Sequence, residues 1–330
     1  MRGVGFRFAL VPGFALLQFC AGAALADTLP PAEGLAWLQR IATAARELNY
    51  IGIFVYQHGD HVETSRIAHF NDRTGELEKL EMLDGPVREI VRSNNETLTF
   101  DGEHRVVKRE KRMLRKTFPA LLPEQLSGLT EFYQLRKGEQ ERVAGFDTQA
   151  LVLEPRDGFR YGHKWWMDAK TGLLLKARMF DENQHTIEQF MFTQVSIGAG
   201  VTRDSVRPSF DVGNPDWRSA PAGNDSSLPV DTGWTVKAEP PGFKKITEMK
   251  RVKAGSPVPV AHLVYSDGLA AVSIFIEPLP TARRFHEGAS HQGTVNIYTR
   301  PLPDQLVTVL GEAPPLTIMQ FAQAVTYRGQ

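Results

Sequence analysis

Turn signals recur at short intervals between Tyr50 and about Gly198, and their spacing constrains the fold more than any other feature of the sequence. Between them lie short segments rich in β-branched and aromatic residues. Two such segments joined by a tight turn form a β-hairpin, so a regular series of turns predicts one large antiparallel sheet. The turn signals are Asn71–Gly75, Asp84–Pro86, Asn94–Asn95, Asp101–Gly102, Asp157–Gly158, Asp168–Gly172 and Asp181–Asn183.

One amphipathic helix is predicted before the sheet. Between Glu33 and Leu48, apolar residues recur at spacings of three, four and seven, which places them in one stripe on a helix. Within the sheet region, Phe118–Leu126 combines two prolines with a leucine cluster and predicts a short helix or a plug-like loop. The helical stripe consists of Leu35, Leu38, Ile41, Ala42, Ala45 and Leu48.

The composition changes after residue 198 and divides the chain into two domains. Residues 199–231 contain four prolines among Gly, Asn, Asp and Ser, which predicts a linker. Residues 232–330 show short strand patterns and a helix from about Pro315 to Val325, which predicts a small α+β domain. With residues 27–198 as the first domain, the fold class is α+β and mainly antiparallel β.

The first 26 residues have the pattern of a secretory signal peptide. Arg2 and Arg7 precede an apolar stretch, and Ala24-Leu25-Ala26 predicts cleavage after Ala26. A retained membrane anchor and a lipid-modified Cys20 are the alternatives. Cleavage removes the only cysteine, which excludes disulfides and cysteine catalysis. We therefore expect an exported protein of the bacterial periplasm.

Signatures of catalysis and of metal or cofactor binding are missing from the sequence. It has no GxSxG, GxxxxGK[ST] or HExxH motif, and its nine histidines show no helical ligand pair. We expect no enzyme activity, metal or cofactor, although a hydrolase built on a carboxylate pair remains a less favoured alternative. The 38 basic residues balance the 38 acidic ones, which offers no argument for nucleic acid as a partner.

Two adjacent predicted strands, Arg160–Asp168 and Leu173–Phe180, carry apolar residues at alternate positions. A short turn joins them, so their apolar faces should coincide. Aromatic residues elsewhere in the sheet could extend this face into a lipid-binding concavity, whereas the alternative is an ordinary core beneath the helix. The candidate lipid-binding residues are Phe54, Tyr56, Tyr161, Trp165, Met167, Leu175, Phe190 and Phe192.

A basic run over Lys108–Lys116 has six cations in nine residues. Since an exported protein rarely meets nucleic acid, phosphorylated lipid or an acidic protein is the better functional interpretation. The alternative is a solvated strand edge protected by its cations. The candidate contacts for an anionic headgroup are Lys108, Arg109, Lys111 and Arg112.

Motifs in both domains resemble the RseB/MucB family of periplasmic negative regulators of the sigma-E envelope-stress response. The resemblance spans nearly the whole mature chain, with the motifs in order. In the first domain they are Tyr50–Tyr56, Glu63–Ile67, Leu83–Pro86, Phe118–Leu122, Arg142–Gly145, Arg160–Gly162 and Thr171–Lys176. In the second they are Pro241–Phe243, His262–Leu269, Val272–Ile276 and Val307–Glu312.

The resemblance implies a lipoprotein-carrier-like half-barrel with covering helices over 27–198 and a partner-binding domain over 232–330. It also implies that the chain binds the periplasmic segment of an RseA/MucA-like anti-sigma factor, shields it from proteolysis and is released by lipid or lipopolysaccharide fragments. His262, Tyr265 and Asp267 are the candidate partner contacts, although Asp267-Gly268 is also a hairpin-turn signal. A periplasmic lipid or lipoprotein carrier is the alternative function, and a homodimer is left open.

Overall fold

The computed structural model describes residues 27–330, apart from 94–95, 112–117, 124, 199, 212, 215, 220–229, 253–258, 280–284 and 329–330. The predicted signal peptide and its cleavage site lie outside the described residues. None of the helices that the structure describes has the length and apolar character needed to span a bilayer.

The predicted amphipathic helix is confirmed as α1 (Pro31–Glu47). Pro31 occupies its first turn, where a missing backbone N–H costs no helical hydrogen bond. Its buried stripe includes Leu38, Ile41 and Ala45, which pack on the concave side of the sheet described next. Arg40 ties α1 to the sheet by donating to the carbonyls of Ala169 and Lys170 at 2.6 and 2.9 Å.

The first domain is built on one open sheet of thirteen strands. Its spatial order is β1-β8-β9-β10-β11-β12-β2-β3-β4-β5-β6-β7-β13, and all neighbours are antiparallel except β7 and β13. Two meanders, β2 to β7 and β8 to β12, therefore join where β12 pairs with β2. The strands are β1 (Asp27–Thr28), β2 (Tyr50–His58), β3 (His61–Asp72), β4 (Gly75–Met82), β5 (Arg88–Ser93), β6 (Glu96–Asp101), β7 (Val106–Lys111), β8 (Tyr133–Val143), β9 (Phe146–Pro155), β10 (Gly162–Asp168), β11 (Leu174–Phe180), β12 (Thr186–Ile197) and β13 (Arg218–Ser219).

Four register shifts interrupt the pairing of β8, β11 and β12 with their neighbours and curve the sheet. The extra residue lies between Lys137 and Gln140 in β8, between Leu174 and Lys176 in β11, between Thr186 and Glu188 in β12 and between Phe192 and Gln194 in β12. Each inserted residue bends its strand and increases the local twist. The sheet consequently wraps around α1 without closing, and the predicted α+β, mainly antiparallel half-barrel is confirmed.

The described part of the segment Phe118–Leu126 is a plug-like loop. Phe118 is buried, and its ring lies 5.2 Å from that of Phe54 and 5.5 Å from that of Phe190. A short helix, α2 (Leu129–Phe132), follows directly. The loop thus carries one aromatic side chain into the concave face of the sheet.

The predicted linker differs from the observed course of the chain. Phe210 and Trp217 pack against Phe100 in a small core, and the backbone N–H of Ser209 donates to the buried carboxylate of Glu89 at 2.9 Å. Strand β13 then pairs with β7. The proline-rich composition predicted a linker, but Phe210 and Trp217 pack the described residues between 200 and 219 against the first domain.

The second domain is a six-stranded antiparallel sheet in the order β15-β16-β17-β20-β19-β18, with a separate pair β14–β21. Helix α3 (Pro315–Ala324) packs over β19 and β20, and Ile318 and Phe321 enter the core. The predicted small α+β architecture is present. The strands are β14 (Trp234–Val236), β15 (Lys244–Val252), β16 (Pro259–Ser266), β17 (Ala271–Pro278), β18 (Gly288–Gln292), β19 (Val295–Pro301), β20 (Gln305–Gly311) and β21 (Val325–Tyr327).

Candidate functional site

Strand register brings residues from four neighbouring strands, three of them aromatic, onto one face of the large sheet. Trp165 of β10 lies opposite Ala177 of β11, which lies opposite Phe190 of β12. Phe190 in turn lies opposite Tyr56 of β2. Because side chains alternate between faces, residues in direct register share a face. The apolar faces of β10 and β11 therefore coincide, as their alternating pattern predicts.

A cavity of about 260 Å³ lies between this face and the second domain. The first domain contributes aromatic walls, including Tyr161 and Trp165, and the second contributes Leu269, Ala270 and Glu312. The volume is just below the range for small-molecule sites, about 300–1,000 Å³. The cavity could hold part of an acyl chain, but it is too small for an entire lipid.

The eight candidate lipid-binding residues fall into two groups. Tyr56, Tyr161, Trp165 and Phe190 line the cavity. The other four are buried in the core of the first domain and do not line the cavity. This agrees with the alternative interpretation of the face as an ordinary core. They are Phe54, Met167, Leu175 and Phe192.

Polar groups from both domains meet at the cavity wall. The Tyr56 hydroxyl donates to Glu188 Oε2 at 3.2 Å, and the Thr294 hydroxyl donates to Glu312 Oε1 at 3.3 Å. Burial, followed by the negative charge of Glu312, raises the pKa of Glu188 to about 7. Burial and the neighbouring Glu188 also raise the pKa of Tyr56 well above its usual value, so its hydroxyl keeps its proton.

Trp165, which lines the cavity, carries a further polar atom. The side chain is buried, and its indole Nε1 has no hydrogen-bond partner among the described residues. A buried N–H group without an acceptor costs about 1–3 kcal/mol. A bound ligand with an acceptor oxygen within reach could recover this cost.

The described part of the basic run lies far from the cavity. Lys108 and Arg109 are on β7, five strands from β2, which corresponds to about 24 Å along the sheet. Lys108 pairs with Glu110 at 2.7 Å, and Arg109 pairs with Glu96 at 2.8 Å. The side chain of Lys111 and all of Arg112 lie outside the described residues. The structure does not bring Lys108 and Arg109 to the aromatic face.

The three candidate partner contacts are all buried within the chain. His262 stacks on Phe275 with 4.2 Å between ring centroids, and Tyr265 packs on Phe321 in the second core. The Asp267 side chain is 0% exposed and pairs with Arg160 of the first domain at 3.1 Å. In this arrangement the three side chains make contacts within the chain and present no open surface to a partner.

Arg160 is the main polar connection between the domains, and its role was missed in the sequence. Besides Asp267, its guanidinium binds Asp157 at 2.9 Å and the Pro241 carbonyl at 2.5 Å. The Phe132 ring covers it at 4.6 Å. Arg160–Gly162, Pro241–Phe243 and His262–Leu269 each carry part of the family resemblance, so three separate motifs meet at one point. The contacts of Arg160 are visible only in the structure, because they form when the three motifs come together in the fold.

Two further hydrogen bonds cross the domain interface. The Thr317 hydroxyl donates to the Phe159 carbonyl at 2.8 Å, and Asn296 Nδ2 donates to the Tyr161 hydroxyl at 3.0 Å. Tyr161 also lines the cavity. The second domain therefore contacts a residue of the cavity wall directly.

Comparison with known proteins finds similarity along nearly the whole chain. The sequence profile of the MucB/RseB N-terminal domain matches residues 33–210, and that of the MucB/RseB C-terminal domain matches residues 229–326. The sigma factor AlgU regulatory protein MucB of Pseudomonas aeruginosa is 33% identical over 303 residues, which cover 89% of this chain and 91% of that protein. The sigma-E factor regulatory protein RseB of Escherichia coli K12 is 26% identical over 331 residues, 99% of each chain.

Solved structures of MucB share this fold. The complex of Pseudomonas aeruginosa MucA and MucB aligns with a TM-score of 0.73 at 30% identity, covering 89% of this chain and 99% of the other. A crystal structure of MucB aligns with a TM-score of 0.61 at 30% identity, covering 90% and 98%. Both domains are thus present in the relatives.

Proposed function

Because the chain belongs to the MucB/RseB family, we propose that it is a periplasmic regulator that binds the periplasmic segment of a membrane-anchored anti-sigma factor. In this function it shields the segment from proteolysis and releases it when lipid or lipopolysaccharide fragments bind. The observation that carries the proposal is the match of both domains, in order, to regulatory relatives, one of which is solved in complex with MucA.

The cavity supports the lipid-dependent part of the proposal. Its aromatic wall belongs to the first domain, whereas Leu269, Ala270 and Glu312 close it from the second. A ligand that enters would contact both domains and could change how they fit together. A simple lipid carrier needs only the first wall, so the shared cavity favours a regulator over the carrier alternative.

A binding experiment with a protease readout tests the function. The purified full-length protein is mixed with the periplasmic segment of MucA, and the affinity and the rate of cleavage of that segment are measured with and without a lipopolysaccharide fragment. We expect a complex, slower cleavage within it and weaker binding when lipid is present. Lipid binding without any MucA complex would instead support the carrier.

Filling the cavity from the second domain should separate lipid binding from partner binding. Ala270→Trp places a large side chain in the cavity, so we expect at least about tenfold weaker binding of a fluorescent fatty acid. Binding of the MucA segment without lipid should stay within about twofold. The matched control is Ala271→Trp at the exposed neighbouring position, which should leave both affinities unchanged. Equal lipid binding by the two variants would show that lipid binds elsewhere.

Reversing the charge of the basic run should have little effect on lipid binding. Lys108→Glu with Arg109→Glu alters exposed side chains that are paired with acids and distant from the cavity. We therefore expect the affinity for the fluorescent fatty acid to change by less than about twofold at physiological salt. A larger loss of affinity that becomes smaller as salt is added would instead support the basic run as a headgroup site.

A further inference from the structure

Four side chains, two from each domain, meet at one seam of the domain interface. Tyr56 and Glu188 come from adjacent strands of the large sheet. Thr294 lies in the β18–β19 turn, and Glu312 directly follows β20. Each carboxylate accepts a hydrogen bond from the hydroxyl of its own domain. Glu188 and Glu312 both line the cavity, and the negative charge of Glu312 acts on Glu188. Two acids therefore face each other across the interface.

The described residues provide no counter-ion for this pair. Within the part of the chain that the structure describes, neither carboxylate forms an ion pair with a lysine, arginine or histidine. Arg178 of the neighbouring strand β11 also lines the cavity, but its guanidinium lies over the Phe180 ring, 5.5 Å from the centroid. Like charges held together in a partly buried place repel, and a proton on one of them removes the repulsion.

His163 lines the cavity, and His58 is a further titratable group at the seam. His58 is on β2, and a Cβ added to Gly293 in the β18–β19 turn would lie 3.5 Å from the His58 ring. Protonation of this ring would also favour contact with the acidic side of the second domain. An experiment on the seam must therefore distinguish the effect of Glu188 from that of His58.

We propose that Glu188 and Glu312 form a proton-controlled clasp, which holds the domains together over the cavity while Glu188 carries a proton and weakens when that proton is lost. This goes beyond the proposed function, because it concerns the domain arrangement and needs neither lipid nor partner.

The direction of the pH dependence follows from proton linkage. In the closed arrangement the pKa of Glu188 is about 7, whereas a solvated glutamate titrates near its ordinary value of about 4.3. Between these values the closed form binds more protons than the open form, so rising pH favours opening. The equilibrium constant for opening should rise by up to about tenfold per pH unit in this range and level off above about pH 7.

Pulsed electron paramagnetic resonance between two spin labels can test the clasp in the full chain. The labels are attached to Leu83→Cys in the first domain and Gln292→Cys in the second, both exposed positions, with Cys20→Ser to remove the only native thiol. Distances are measured from about pH 5 to pH 9, which brackets the titration. Neither lipid nor the MucA segment is added, so failure of this test leaves the proposed function untouched.

Four variants give the test its controls. Glu188→Gln and Glu312→Gln should each remove most of the pH dependence and keep the short-distance population at all pH values. His58→Gln and Glu182→Gln, an exposed acid before β12, should retain the wild-type profile. A wild-type distance distribution that does not change with pH would overturn the clasp, as would a pH-dependent change that survives in Glu188→Gln or disappears in His58→Gln.

Discussion

Arg160→Ala is expected to destabilise the protein by about 3–5 kcal/mol, because it leaves the buried Asp267 carboxylate without its counter-ion. The Arg160 side chain is 1% exposed and that of Asp267 is 0% exposed, so water cannot replace the lost partner. The variant also loses the hydrogen bond to the Pro241 carbonyl and the contact with the Phe132 ring. Differential scanning calorimetry should show a lower melting temperature and less cooperative unfolding of the two domains.

A double variant that removes both charges distinguishes the loss of the ion pair from general damage to the fold. Arg160→Met with Asp267→Asn removes both charges, and the amide oxygen can still accept from the backbone N–H groups of Leu269 and Ala270. The double variant should recover at least about half of the lost stability, since removing both members of a buried pair costs less than removing one. Arg156→Ala, at an exposed position, should change stability by no more than about 0.5 kcal/mol. If Arg160→Ala also stays within that margin, the interface does not depend on this ion pair.

Local patterns in the sequence predicted the elements of the fold, but the contacts between distant elements required the structure. Alternation in β10 and β11 correctly placed Trp165 and Ala177 on one face, because a hairpin turn brings these strands into register. Asp157-Gly158 was recognised only as a turn signal, and Asp267 as part of a turn signal and as a candidate partner contact. Arg160 joins both aspartates, and Asp267 is 107 residues away in the sequence, beyond the reach of any local pattern.

Composition was the weakest guide. The prolines after residue 199 suggested a tether, yet Phe210 and Trp217 hold this segment on Phe100. A short run of cations suggested a lipid headgroup site, yet Lys108 and Arg109 have acidic neighbours across or along the strands. The clasp residues Glu188 and Glu312 have no sequence signal at all, since their meaning depends on two domains meeting. Local sequence patterns do not describe the packing between parts of this chain that are remote in sequence.

Trp165→Ala is expected to lower the free energy of unfolding of the first domain by about 3–5 kcal/mol, because it empties a large, 1% exposed site in the core. Changed lipid binding in this variant would therefore report damage to the fold as well as a lost contact.

Trp165→Phe is the sharper probe. It keeps most of the apolar volume and removes the indole Nε1, which has no partner among the described residues, so the stability should change by less than about 1.5 kcal/mol. If a ligand oxygen accepts from Nε1, this variant should bind lipid several-fold more weakly while it unfolds nearly as wild type does. Unfolding of the second domain should be unchanged in both variants. Trp234, the single tryptophan of that domain, reports it when Trp37, Trp166 and Trp217 are replaced by phenylalanine in the reference protein and in both variants. Normal lipid affinity in Trp165→Phe would show that the indole serves the core alone, and a cost below about 1 kcal/mol for Trp165→Ala would contradict its place in that core.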